Sequence, residues 1–193
     1  MRRRLDRRAR TTGRLGVAHG ERYALLPREV LESEAYRALP PPAVVVLLAL
    51  AVQYYGTRNG SLALTWADAP ALGVRSQAQL YGCLRILEAA DLIHCTRRGL
   101  LRGGRQLPNL WALSWRPIDE AAAGVTYDTG TSISPTPTNA WARWKKPADW
   151  DEIVRTIRRR AKGTLKIADS PRGETATHPV GSGKGQIPLP PWG

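Results

Sequence analysis

Residues 76–115, SQAQLYGCLRILEAADLIHCTRRGLLRGGRQLPNLWALSW, decide the fold. Ser76 suits an N-cap, because its hydroxyl can accept from an amide of the first helical turn that has no other partner. Leu80, Cys83, Leu84 and Leu87 follow at helical spacing, which predicts a helix over 76–89 with one apolar face. The other side offers Ala78, Tyr81, Gly82 and Arg85, with Gln77 near the start and Gln79 nearer the apolar border. LIHCT (92–96) and LWALSW (110–115) read as strands, with Trp111, Leu113 and Trp115 alternating with Leu110, Ala112 and Ser114. The connection RRGLLRGGRQLPN (97–109) holds four Arg, three Gly and one Pro, so the expected hairpin has a basic tip.

Upstream, Gly73-Val74 reads as a turn. Thr65 stands three residues before Asp68, the spacing of a capping box, and predicts a short helix over 66–72 that Pro70 distorts. SLAL (61–64) fits a short strand after the tight-turn signal Asn59-Gly60. AVVVLLALAVQYY (43–55) is apolar on every face and stands between Pro40-Pro41-Pro42 and Gly56. It is too long for one strand and predicts a buried central helix that Pro42 can open. LLPREVLESEAYRAL (25–39) places Val30, Leu31 and Ala35 at helical spacing behind Pro27, a short amphipathic helix. Ordered structure is expected from Tyr23.

Downstream, residues 121–147 are rich in Ala, Thr, Ser and Pro and read as a linker. A basic amphipathic helix is expected over 148–162. It places Trp150, Ile153, Val154 and Ile157 on one face, acids early and Arg158, Arg159 and Arg160 late, in the sense the helix dipole favours. That helix can dock on the domain, pair with a second copy or meet an acidic surface. Residues 1–20 form a basic arm and 163–193 a Gly/Pro-rich tail, both expected to be disordered.

The chain of 193 residues carries 29 Lys plus Arg against 16 Asp plus Glu. The excess is uneven. Residues 1–20 hold seven Arg and one Asp, and residues 75–116 hold seven Arg against Glu88 and Asp91, whereas 21–74 are close to neutral. Such clustering points to a polyanionic partner. Arg outnumbers Lys 24 to 5, which suits bidentate contact with phosphate or guanine, although a GC-rich genome gives the same ratio. Two cysteines exclude a disulfide scaffold and argue against a four-ligand structural zinc. The longest apolar run, 43–52, falls short of the roughly 20 residues that cross a bilayer. The basic N-terminus has no apolar stretch behind it, so a cytoplasmic protein without membrane contact is expected. GSGKG (181–185) lacks the first glycine and the hydroxyl residue of a phosphate loop. His94 beside Cys95 has no third metal ligand nearby, and no nucleophile, base and acid form a set. No cofactor, metal, small-molecule ligand or catalysis is expected. Trp66, Trp111 and Trp115 read as core residues.

The order of elements and several local motifs resemble bacterial and phage-encoded winged helix-turn-helix DNA-binding proteins. The matching pieces are the aromatic-x-x-Leu-Pro entry at 23–27, Tyr-x-Gly-x-x-Asn-Gly at 54–60, the Ser-capped helix with its terminal hydrophobic pair at 76–93, and Thr-Arg-Arg-Gly at 96–99. NAWARWKK (139–146) resembles the Trp-containing tail that follows in such proteins. The chain departs from the pattern at Gly82, where a long polar side chain is usual, at Asp91, where a helix-ending glycine is usual, and at Pro70. The resemblance implies an α+β fold, mostly helical with a small antiparallel hairpin, in one winged helix-turn-helix domain over 21–120. It also implies a non-enzymatic transcription regulator or replication-associated factor of a phage or mobile element.

On that reading double-stranded DNA is the partner, and a homodimer is a candidate assembly. The recognition helix contributes Arg75, Ser76, Gln77, Ala78, Tyr81 and Arg85 at the major groove. Arg97, Arg98, Arg102 and Arg105 hold phosphate from the wing. Arg7, Arg8, Arg10 and Arg14 follow the minor groove from the arm. Two other readings stay open. The same face can serve a protein-interaction module, since Tyr81, Gly82 and Ile86 make it less polar than a strong DNA reader needs. The arginine-rich arms can bind RNA.

Overall fold

The computed structural model describes residues 24–99, 101–102, 105–121, 123–128, 130–131 and 133–168; at 101, 102, 105, 106 and 164–168 it describes the backbone alone. The arm arginines Arg7, Arg8, Arg10 and Arg14 and the tail beyond 168 lie outside these residues, as does Tyr23. The fold is α+β. Helices α1 (Arg28–Glu32), α2 (Glu34–Arg37), α3 (Pro41–Val52) and α4 (Gln77–Ala89) come first. Strands β1 (Ile93–Arg97), β2 (Leu101–Arg102), β3 (Arg105–Gln106) and β4 (Leu110–Leu113) follow, and α5 (Trp150–Ala168) closes the order. No helix among the described residues is long and apolar enough to cross a membrane.

The expected first helix is broken in two at Ser33. Its hydroxyl donates to the Val30 carbonyl (2.6 Å) and accepts from the Tyr36 amide (3.1 Å), so one side chain closes α1 and caps α2. Helix α3 starts one residue earlier than expected, with Pro41 in its first turn, where a missing amide costs nothing. It buries Ala43, Val46, Leu47, Leu50 and Ala51. The expectation of burial all round is corrected, because Val45, Leu48, Val52 and Tyr55 remain exposed along one side.

The helix expected over 66–72 is a turn followed by a short 3-10 helix, Pro70–Leu72. The capping signal is real but works in reverse. The Asp68 carboxylate accepts from both the amide and the hydroxyl of Thr65 (2.8 Å each), and the amide contact holds its pKa below the usual carboxylate value. Pro70 then tightens the chain, and Gly73 takes the left-handed conformation (φ 69°) that ends the turn. Trp66 is 42% exposed and is not a core residue.

Helix α4 is anchored at both ends. Ser76 Oγ accepts from the Gln79 amide (3.1 Å), and the Gln79 side chain accepts from the Arg75 amide (2.9 Å), a reciprocal cap. At the far end Asp91 stands at φ 56°, with hydrogen bonds from its amide to the Glu88 carbonyl and from Leu92 to Leu87. A carboxylate residue thus performs the helix-ending turn usually given to glycine.

Strands β1 and β4 pair antiparallel, with a bulge between Cys95 and Arg97, and β2 pairs with β3 toward the hairpin tip. The 61–64 strand is reduced to one antiparallel bridge, Leu62 to Trp111, made by two backbone bonds of 3.2 and 2.8 Å. The alternation along 110–115 does not become an inside and an outside. Leu110, Trp111, Ala112, Leu113, Ser114 and Trp115 are all buried. The cause is the polar stretch after β4, expected as a linker. The amide of Asp128 donates to the Thr96 carbonyl (2.8 Å), that of Asn139 to Ser114 (2.9 Å), and Ile118 bridges Ser134. These bonds strap the stretch to the hairpin.

Asn59 sits fully buried where the α3 exit meets the end of β4. Its side-chain amide donates to the carbonyls of Leu113, Arg116 and Pro117 (2.8–3.1 Å), and its oxygen accepts from the Leu113 amide (2.7 Å). Its own backbone pairs with Asp119. Gly60 follows at φ 115°, and a Cβ there would meet the Tyr127 hydroxyl at 2.6 Å. The turn signal was legible; the buried amide hub was not.

Helix α5 docks on α4 and runs six residues beyond the expected end. Trp150 donates to the Ala38 carbonyl (3.0 Å) and packs edge-on against Trp144, which itself donates to the Ala89 carbonyl (2.9 Å). Gly82 lies under α5: a Cβ built on it would stand 3.9 Å from Ala161 and from Arg158. Gly82 is therefore a packing residue, and its missing side chain is not a reader lost from an exposed face. An alanine fits that space and favours helix, so Gly82→Ala is expected to raise stability by about 0.5–1 kcal/mol in urea unfolding. Gly82→Lys is expected to lower it as α5 is pushed away. Equal effects of the two changes would contradict this packing.

Candidate functional site

The residues expected on the recognition helix occupy α4 and its cap. Arg75, Ser76 and Arg85 are exposed, and Gln77, Ala78 and Tyr81 are half-buried. Gln77 donates to the Tyr81 hydroxyl (3.2 Å), which lays both along one helical edge. Gln79 is taken up by the cap. The opposite face of α4, with Leu80, Cys83, Leu84 and Leu87, packs into the core.

The four wing arginines separate. Arg98 stands at the hairpin root, about one third exposed (37% of its side chain). Arg97 does not belong on the surface. It is only 7% exposed, and its guanidinium donates to the Pro108 carbonyl (3.2 Å) across the base of the hairpin. The bulge at Thr96 causes this, since the extra residue turns Arg97 inward to pair opposite Leu110. The phosphate role expected of Arg97 is withdrawn. Arg102 and Arg105 pair with each other across β2 and β3, and their side chains lie outside the description. Arg116, counted in the same basic cluster, stacks its guanidinium 5.4 Å from the Tyr54 ring centre and is half-buried. The root of the hairpin has little slack. Gly99 donates to the Asn109 side chain, and a Cβ on it would meet the Leu107 carbonyl at 2.7 Å.

Glu88, an acid with no expected role, joins the two elements. One carboxylate oxygen accepts from Arg85 (2.9 Å) and the other from Arg98 (2.8 Å). An arginine of α4 and an arginine of the hairpin therefore meet at one point. Residues 85 and 88 are one helical turn apart, a signal present in the sequence, but the reach of Arg98 to residue 88 depends on how the strand leaves the helix. Arg98 is further fixed by its amide, which donates to the Asp128 carboxylate (2.7 Å). Arg75 adds a third cation at the N-terminal end of α4. The arrangement offers guanidiniums at both ends of an exposed helix edge, with amide and phenol groups between them.

Cys95 lies beside this cluster. Burial pushes its thiol up, the Arg98 charge opposes that, and its Sγ rests 3.4 Å from the Arg97 carbonyl. Burial pushes the Cys83 thiol further, to about 11, with Arg158 opposing. Both groups are protonated thiols near neutral pH. A thiol whose pKa is raised by folding stabilises the fold fully below its unfolded value of 9.0, and that contribution falls away as pH rises from 9.0 toward about 11. Alkylation of Cys83 by iodoacetamide at pH 8 is expected to be at least about 100-fold slower in folded than in urea-unfolded protein. Comparable rates would show that this thiol is not enclosed.

A recess of about 420 Å³ is lined by Gln53, Tyr55, Thr57, Arg58, Ser61 and Leu62. It brings hydroxyls and one cation together, with no acid or imidazole beside them. Among the described residues no three His, Cys, Asp or Glu side chains converge as metal ligands. No family model, curated protein or solved structure matches the chain.

Proposed function

We propose that this chain is a non-catalytic winged helix-turn-helix protein that binds duplex DNA, as a transcription regulator or replication-associated factor of a phage or mobile element. In this reading α4, 13 residues and about 20 Å long, enters the major groove. Gln77 and Arg85 face base edges, and Arg75 and Arg98 face phosphate. The supporting elements are the tight turn at 66–73, the doubly capped α4, the antiparallel hairpin and the Leu62 bridge that adds a third strand position. The observation that carries the proposal is the meeting of Arg85 and Arg98 at Glu88, which sets helix and hairpin cations on one edge. The protein is proposed to act in the cytoplasm, on the nucleoid.

Selection of bound duplexes from a random pool tests this reading. Full-length protein is expected to enrich a consensus, and the double change Gln77→Ala, Arg85→Ala is expected to alter it at the positions under α4. An unaltered consensus would remove α4 as the reader. One observation favours a second reading, a protein-interaction module. Val45, Leu48 and Val52 on α3, with Tyr55 just after it, are exposed and uncharged. Copurification with one protein partner, together with no duplex binding at low salt, would select that reading.

A further inference from the structure

Among the described residues Glu88 joins α4 to the hairpin root through Arg85 and Arg98, with Asp128 on the Arg98 amide beside it, and an acid there is unfavourable for a surface that meets phosphate. The Glu88 carboxylate is about one quarter exposed and holds Arg85 and Arg98, themselves about half and one third exposed. Exposed ion pairs of this kind hold only weakly, so phosphate can compete for either guanidinium. Once it does, Glu88 remains in the contact as an uncompensated negative charge beside a polyanion. The penalty lowers affinity for every duplex alike, so only one that adds base contacts is held tightly.

Resting on the duplex-binding reading above, we propose that Glu88 sets the threshold for DNA binding: it restrains Arg85 and Arg98 and lowers affinity for arbitrary duplex. It acts through the two arginines and is a positioning residue. Its neutral isostere releases both guanidiniums and removes the repulsion. Glu88→Gln is therefore expected to tighten binding to a random-sequence duplex by about tenfold. It is also expected to steepen the slope of log K against log salt by up to about two, near 0.9 for each phosphate gained.

The test measures fluorescence anisotropy of full-length protein on one random-sequence duplex across a salt series. It compares wild type, Glu88→Gln, Glu88→Ala, and Glu88→Gln combined with Arg85→Ala or Arg98→Ala. The expected result is a gain in both Glu88 variants that the added arginine changes abolish. A purely structural role would not steepen the slope or make the gain depend on Arg85 and Arg98. If wild type binds duplex but neither variant gains, the proposal fails and the duplex-binding reading stands. If wild type shows no salt-dependent binding, the reading itself fails and takes the proposal with it.

Discussion

Replacing Asn59 with Ala is expected to lower stability by about 3–5 kcal/mol, a large share of the 5–15 kcal/mol that holds a domain of this size together. The side chain is fully buried and supplies three donated contacts and one accepted contact to backbone groups between Leu113 and Pro117. Alanine leaves those groups without partners where water has no ready access. The cost of each unsatisfied group, about 1–3 kcal/mol, exceeds the net gain from the bond that satisfied it. Asn59→Asp gives a sharper comparison. It keeps an acceptor for the Leu113 amide but turns two acceptor-facing hydrogens into a carboxylate oxygen set against carbonyls. It should destabilise at least as much as alanine. Urea unfolding followed by tryptophan fluorescence reads both variants. A loss below about 1 kcal/mol for either would mean that the hub contributes little to the fold.

The second large effect concerns binding. Removing Arg75, Arg85 and Arg98 together is expected to weaken duplex binding at moderate salt by about 10²–10³-fold. It should flatten the salt slope by about 1.8, near 0.9 for each of the two phosphate contacts given to Arg75 and Arg98. Arg97→Ala should behave differently. Its guanidinium is spent on the Pro108 carbonyl inside the hairpin base, so the variant should lose stability while its slope changes little. These two outcomes separate a phosphate-contacting arginine from a structural one in the same Arg-Arg dipeptide.

Much of the fold was legible because local chemistry and tertiary packing agree. Ser76 caps α4, Leu80, Cys83, Leu84 and Leu87 face the core, and β1 and β4 pair as their spacing implied. The misreadings have specific physical origins. Ser33 broke the first helix because a hydroxyl satisfies two helix ends at once, which hydrophobic spacing does not register. The apolar run of α3 implies burial on all sides, yet Val45, Leu48 and Val52 stay exposed because no described element packs over that side. The strand at 110–115 looked two-sided because nothing in the Ser- and Thr-rich stretch after it announced that short polar side chains would bond the hairpin backbone.

The candidate site was half legible for similar reasons. Arg75, Ser76, Gln77, Ala78, Tyr81 and Arg85 are where a helix places them, whereas Arg97 and Arg98 were indistinguishable until the bulge at Thr96 set which one points inward. Gly82 stands out in the sequence only as a departure from a long polar side chain, because the docking of α5 over it is a long-range event. Glu88 was overlooked because its second partner, Arg98, is ten residues away across the helix end and the strand start.

The most direct test of duplex binding at the α4–hairpin edge is a salt titration of binding to a labelled duplex, comparing full-length wild type with the Arg75, Arg85, Arg98 triple alanine variant. The predicted result is tight, strongly salt-dependent binding by wild type and a slope flatter by about 1.8 in the variant. Identical affinities and slopes for the two proteins would contradict it, since the cations at that edge would then take no part in holding DNA.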